Sequence, residues 1–108
     1  MKQPISVSVD SLYPIAYVQY LDDAVPSDGS LLLCRDPDGV VRDYTHRDRH
    51  DVDSGVLIDV TPDDEIIGFE ILSIEDLESV AIARDYARDN DLAFPDDIRA
   101  AAARSSAA

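Results

Sequence analysis

The stretch Gly55-Val56-Leu57-Ile58-Asp59-Val60-Thr61-Pro62-Asp63-Asp64-Glu65-Ile66-Ile67-Gly68-Phe69-Glu70-Ile71-Leu72, running on into Ser73-Ile74-Glu75-Asp76-Leu77, decides the fold class. Val56, Ile58 and Val60 alternate with Leu57 and Asp59, the two-residue period of a half-buried strand. Thr61-Pro62-Asp63-Asp64 supplies turn residues, and Ile66 to Leu72 returns as a second strand. Gly68 inside that returning strand predicts a bulge or a close backbone approach. The period then changes to 3.6. Ile74, Leu77, Val80, Ala81, Arg84 and Ala87 fall at helical spacing. Ser73 reads as the N-cap, with Glu75 and Asp76 in the positive first turn and Asn90 as the C-cap.

Working outward, Ile5, Val7 and Val9 alternate with Ser6 and Ser8, which predicts a first strand. Asp10-Ser11-Leu12-Tyr13-Pro14 reads as a turn. Ile15 to Leu21 follows as a strand with Ala16, Val18 and Tyr20 on one side. Leu31 to Arg35 and Val40 to Tyr44 flank Asp36-Pro37-Asp38-Gly39, a strong hairpin signal. Thr45 to Ser54 is almost wholly polar and reads as an exposed loop. Pro95-Asp96-Asp97 starts a second short helix. Strands first and helices last predict an α+β fold: a small antiparallel sheet of two to three hairpins packed against a C-terminal helix, with a second short helix.

The chain has 108 residues, enough for one hydrophobic core, so a single domain over 1–108 is expected. Its 23 acids (19 Asp, 4 Glu) outweigh 9 bases (8 Arg and Lys2), for a net charge of −14. That balance argues against contact with phosphate backbones, which needs clustered cations. No apolar run has the length of a membrane span, and none follows Met1-Lys2-Gln3-Pro4 as a signal segment would. Cys34 stands alone, so no internal disulfide framework exists, and a cytoplasmic location fits. The acidity has three readings: a hydrated surface adapted to high salt, a field that steers a basic partner, or divalent-ion binding by clustered carboxylates.

Residues 55–72, and less closely 9–20, resemble a small prokaryotic family catalogued as domain of unknown function 2283. Its pattern is a strand ending in Asp, an acidic turn, then a strand close to Ile66-Ile67-Gly68-Phe69-Glu70-Ile71-Leu72; Tyr17 falls at the family's tyrosine. The chain departs from the pattern at Pro14, where the family carries Asp, and at Asp64-Glu65, where its turn carries Gly. Against the family's short linker, a hairpin and loop over about 28–54 read as an insert. They lie within a sheet part of about 4–72, ahead of a helical part of 73–104 and a frayed tail of 105–108. The resemblance implies no catalytic residues. It implies an antitoxin-like or immunity-like role, because some members are encoded beside small toxin-like proteins.

Several constellations could carry chemistry. His46 and His50 at i, i+4, with Asp51 beside them, have the ligand types for zinc or a related metal, although the segment lacks an apolar face to hold it as a helix. The clusters at Asp36–Gly39 and Asp59–Glu65 lack the twelve-residue calcium-loop pattern and read as hairpin turns. Asp59 and Glu70 place two carboxylates on one sheet; Glu70 is expected to point outward or to meet a helix arginine such as Arg84. Cys34 reads as a buried thiol. No nucleophile elbow or phosphate-cradling glycine loop occurs. The expected function is a non-enzymatic protein-interaction module, without cofactor, that engages a basic partner through Asp36, Asp38, Asp48, Asp51, Asp53, Asp63 and Asp64. One alternative is a small metal-binding protein using His46, His50 and Asp51. Another is a homo-oligomer paired through a sheet edge or through Leu31–Leu33.

Overall fold

Among the described residues, all strands join one sheet. A computed structural model describes residues 1–22, 25–45 and 55–106. In chain order the elements are β1 (Ser6–Val9), β2 (Ala16–Gln19), β3 (Ser30–Arg35), β4 (Val41–Tyr44), β5 (Val56–Val60), β6 (Ile66–Ile71), α1 (Leu77–Asp89) and α2 (Ile98–Ser106). The fold is α+β with an antiparallel sheet, and that sheet is larger than the sequence predicts. Its order is β1-β2-β6-β5-β3-β4. The β5–β6 hairpin enters between β2 and β3, with β6 pairing β2 and β5 pairing β3, so the separate hairpins fuse into one six-stranded layer.

Cross-strand partners share a face, so register assigns the two sides of the sheet. Val7 opposes Val18, Val18 opposes Phe69 and Phe69 opposes Ile58. These side chains form the core together with Ala16, Tyr20, Leu33, Val56 and Ile71, and the helices close over them. A register shift at Asp59/Val60 leaves one extra residue in β6, a bulge beside Gly68.

α1 begins at Leu77, with Asp76 rather than Ser73 as its N-cap. The Asp76 carboxylate accepts from the Glu78 N–H and from the Ser79 hydroxyl. Its buried stripe is Ser79, Ala83 and Ala87, whereas Leu77, expected on the apolar face, is 82% exposed. Small side chains let the helix axis approach the sheet closely. Ser79 packs so tightly that a Cβ on Gly55 would lie 2.2 Å from its hydroxyl oxygen. In α2, Ile98, Ala101 and Ala102 complete the core beside β1. The Val7 N–H donates to Ser105 Oγ of this helix at 3.2 Å. Among the described residues, no helix is long and apolar enough to cross a membrane.

Burial also sets the titration of two tyrosines. Desolvation pushes the Tyr20 phenol well above its ordinary value, and its hydroxyl donates to the Ala93 carbonyl at 2.6 Å. Desolvation first, then its hydrogen bond to Asp43, does the same for Tyr86. A raised folded pKa means that the folded state holds its proton more tightly than the unfolded chain does. The resulting stabilisation is complete below about pH 10, the unfolded value, and is lost as pH climbs above it. In a ring-resolved NMR titration, Tyr20 and Tyr86 are therefore expected to ionise only with unfolding. Reversible ionisation of both, with the fold intact, would contradict this.

Candidate functional site

Antiparallel pairing separates the two acidic hairpin turns. Ser30 at the start of β3 opposes Asp59 at the end of β5, so the Asp36–Gly39 turn and the Thr61–Glu65 turn lie at opposite ends of the sheet, roughly 15–20 Å apart along the strands. The two ends differ in charge balance. Asp36 and Asp38 both accept from the Arg42 guanidinium at 2.9 Å, and the Tyr44 hydroxyl also donates to Asp36. The hydrogen bond from Arg42 holds the Asp38 carboxyl below the usual carboxylate range. Arg35 is engaged likewise, by Glu78 and Asp85 of α1, each at 2.9 Å. Cations at this end are thus committed to carboxylates of the same chain.

The opposite end has no such compensation among the described residues. Asp63, Asp64 and Glu65 are exposed on the β5–β6 turn, and the Asp28 N–H donates to the Val60 carbonyl beside them. Asp64 and Glu65 share a cleft with Lys2, Asn90 and Leu92, so the carbonyl end of α1 and Asp91 close the same region. The helix dipole adds negative potential there. Among the described residues, Lys2 is the one cation lining that cleft. Asp64 and Asp91 hold left-handed backbone, φ 65° and 59°, which Asp tolerates better than bulkier residues.

The face of the sheet away from the helices carries a second constellation. Tyr17 of β2 lies diagonally across Gly68 of β6, and its hydroxyl donates to Asp59 Oδ2 of β5 at 2.7 Å. Ser30 of β3 donates to Asp59 Oδ1 at 2.5 Å. Gly68 is required by the crossing ring, because a Cβ there would lie 2.6–2.7 Å from three ring and hydroxyl atoms of Tyr17. Glu70 is on this face, flanked by Tyr17 and Leu57, so of its two expected placements it takes the outward one and not the pairing with Arg84 of α1 on the other side. Glu70 and Asp59 are offset along their strands, since Glu70 opposes Leu57 and Asp59 opposes Gly68. Asp59, with both oxygens occupied by hydroxyl donors, serves as a cross-strand tie. Cys34 is buried. Within the Leu31–Leu33 segment, Leu32 pairs with both β5 and β4, Leu31 with β5 and Leu33 with β4.

A third feature combines apolar surface with charge. The Ile74 N–H donates to the Pro14 carbonyl at 2.8 Å, clamping the β1–β2 turn against the β6–α1 connection. The two segments so joined carry exposed apolar side chains, Leu12 (82% exposed) and Tyr13 (63%) on the turn and Leu72 (42%) after β6, whereas Leu77 lines a separate cleft with Ile74, Val80 and Arg84. The turn is held by Asp10, whose carboxylate accepts from the Leu12 and Tyr13 N–H groups at 2.8 and 3.1 Å. Beside it opens a cleft of about 320 Å³ between Val9, Asp10, Ile15, Tyr17 and Glu70. The sequence shows Leu12 and Tyr13 only as part of a turn; two large apolar residues in such a turn are the signal that marks this patch.

His46, His50, Asp48, Asp51 and Asp53 lie outside the described residues. Among the described residues, no group of three or more His, Cys, Asp or Glu side chains is arranged to hold a metal ion. Comparisons with family models, with curated proteins and with solved structures found no match to this chain.

Proposed function

We propose that the protein is a non-enzymatic interaction module that engages a basic protein partner, antitoxin-like or immunity-like in its most specific form. The observation that supports this reading is the asymmetric use of charge. Arg35 and Arg42 are spent on internal ion pairs, while Asp63, Asp64 and Glu65 stand exposed on the β5–β6 turn, Asp64 and Glu65 sharing a cleft with Lys2. A net charge of −14 then acts outward. At low salt, about 0.01 M, its field reaches roughly 30 Å, comparable with the 39 Å length of the molecule; at physiological salt it reaches about 8 Å. Such a field accelerates encounter with a basic partner and leaves association strongly salt-dependent.

The test is capture of partners from native lysate on the immobilised full chain, at low and then high ionic strength. A stoichiometric basic protein, released by salt, is the expected result. Association kinetics with that protein then provide the second arm. The variant Asp63→Asn/Asp64→Asn/Glu65→Gln is expected to slow association by about three- to tenfold at low salt and to flatten its salt dependence. No basic partner at either salt, or an unchanged on-rate, would defeat the reading.

A further inference from the structure

We infer that the surface between α1 and the start of α2 is a self-association site. A second copy of the chain docks there about a two-fold axis, the leucine and arginines of each copy meeting the apolar lining and carboxylates of the other. The inference goes beyond the functional reading above and does not use its Asp63–Glu65 turn.

A cleft of about 310 Å³ opens between the two helices. Ile74, Val80 and Ile98 give it an apolar lining, and Leu77, 82% exposed, borders the same cleft. Exposed apolar surface rimmed by polar groups marks an interaction site. The rim here carries both signs: Arg84 and Arg99 stand with Glu75, Asp96 and Asp97. Asp97 caps the start of α2, its carboxylate accepting from the Ala100 N–H at 3.0 Å. The others are idle. Arg84 and Arg99 make no ion pair among the described residues, whereas Arg35, Arg42 and Arg88 each have a carboxylate of the same chain within 4 Å. Glu75 and Asp96 are equally unpaired. Arg84 and Asp96 also line a second cleft, with Leu92 and Phe94, so the mixed surface continues along α1.

Charge complementarity selects the occupant. A purely anionic ligand would meet Glu75, Asp96 and Asp97, and a purely cationic one Arg84 and Arg99. A second copy brings both signs, and two-fold symmetry sets residue i against j and j against i. An axis passing near Arg84 and Asp96 would place each Arg84 beside the other copy's Asp96. The net charge of −14 then gives the association a distinctive salt response. At about 0.01 M the field reaches roughly 30 Å, so two copies repel before their surfaces meet; at about 0.15 M it reaches about 8 Å, and contacts within an interface survive. Self-association therefore strengthens as salt rises, the reverse of capture of a basic partner.

The test is sedimentation equilibrium of the full chain over a range of protein concentration, at both ionic strengths. The dimer is expected to be at least about tenfold tighter at the higher salt. Leu77→Ser should weaken it about a hundredfold, since symmetry makes the substitution twice. Leu77 is exposed, so this variant should fold, which its thermal transition checks. Arg84→Glu/Arg99→Glu and Glu75→Lys/Asp96→Lys should each be monomeric alone and should form a heterodimer when mixed. Both variants remain strongly acidic, so net charge cannot draw them together, and a misfolded variant could not be rescued in this way. The mass of one chain under all conditions, a dimer indifferent to Leu77→Ser, or an association that weakens as salt rises would each overturn the site. None of these results touches the basic-partner reading, and failure of lysate capture leaves the dimer standing.

Discussion

Phe69→Ala is expected to cost about 3–5 kcal/mol, the usual range for deleting a buried ring whose site cannot collapse. Phe69 is fully buried at the centre of the sheet. It makes edge-to-face contacts with Tyr20 (5.8 Å), Tyr86 (6.3 Å) and Phe94 (5.9 Å), which come from the end of β2, from α1 and from the α1–α2 connection. Each such pair adds about 0.5–1.5 kcal/mol beyond its buried area, so one truncation loosens three neighbouring segments from the sheet. A domain of this size has a total stability of about 5–15 kcal/mol, so the variant should sit near the unfolding threshold at room temperature. Urea denaturation measures the loss directly. Phe69→Leu keeps much of the volume but loses all three ring contacts, so it should cost about 1.5–3 kcal/mol, less than the alanine variant. A Phe69→Leu midpoint equal to that of the parent protein would show that the ring contacts contribute nothing specific.

Gly68→Ala is the second large effect, at about 2–3 kcal/mol, although it adds a single methyl group. That methyl would meet Cζ, Cε1 and Oη of Tyr17 at 2.6–2.7 Å, so the ring must leave its place. Its departure breaks the hydrogen bond to Asp59 and uncovers the backbone where β2, β6 and β5 meet. The mechanism makes a non-additive prediction. In a Tyr17→Ala background the obstruction is gone, and Gly68→Ala should then cost less than about 0.5 kcal/mol. A full penalty in both backgrounds would mean that the strain lies in the bulged backbone of β6 rather than in the crossing ring.

Particular residues show why some of this architecture is legible in the sequence and some is not. Ala16, Val18 and Tyr20 alternate with Tyr17 and Gln19, and those three are the buried side of β2. Period-two burial is a local property, so a local pattern finds it. Strand order is different: the insertion of β5–β6 between β2 and β3 depends on pairings some fifty residues apart, such as Val18 with Phe69, and nothing within a short window encodes them. Helix α1 is misread for a further reason. Apolar periodicity finds Val80 and Ala87, which pack on the core, but it also favours Leu77, which is exposed, and passes over buried Ser79 and Ala83, because close approach selects small size rather than hydrophobicity. The acidic turn at Asp63 and Asp64 is legible through its Pro-Asp-Asp signature. That Asp36 and Asp38 are matched by Arg42, six and four residues away, becomes visible only once β3 and β4 pair.

The small contact between Val7 and Ser105 has a consequence for how the molecule behaves in crowded or saline solution. An outer strand with idle amide groups is a template on which further chains can stack. Here α2 lies along β1, and Ser105 occupies the Val7 amide. At the other margin β4 is only four residues long and carries Arg42 and Asp43. Protection from strand-templated aggregation is therefore geometric as well as electrostatic, and it persists when salt has screened the mutual repulsion of the acidic surfaces.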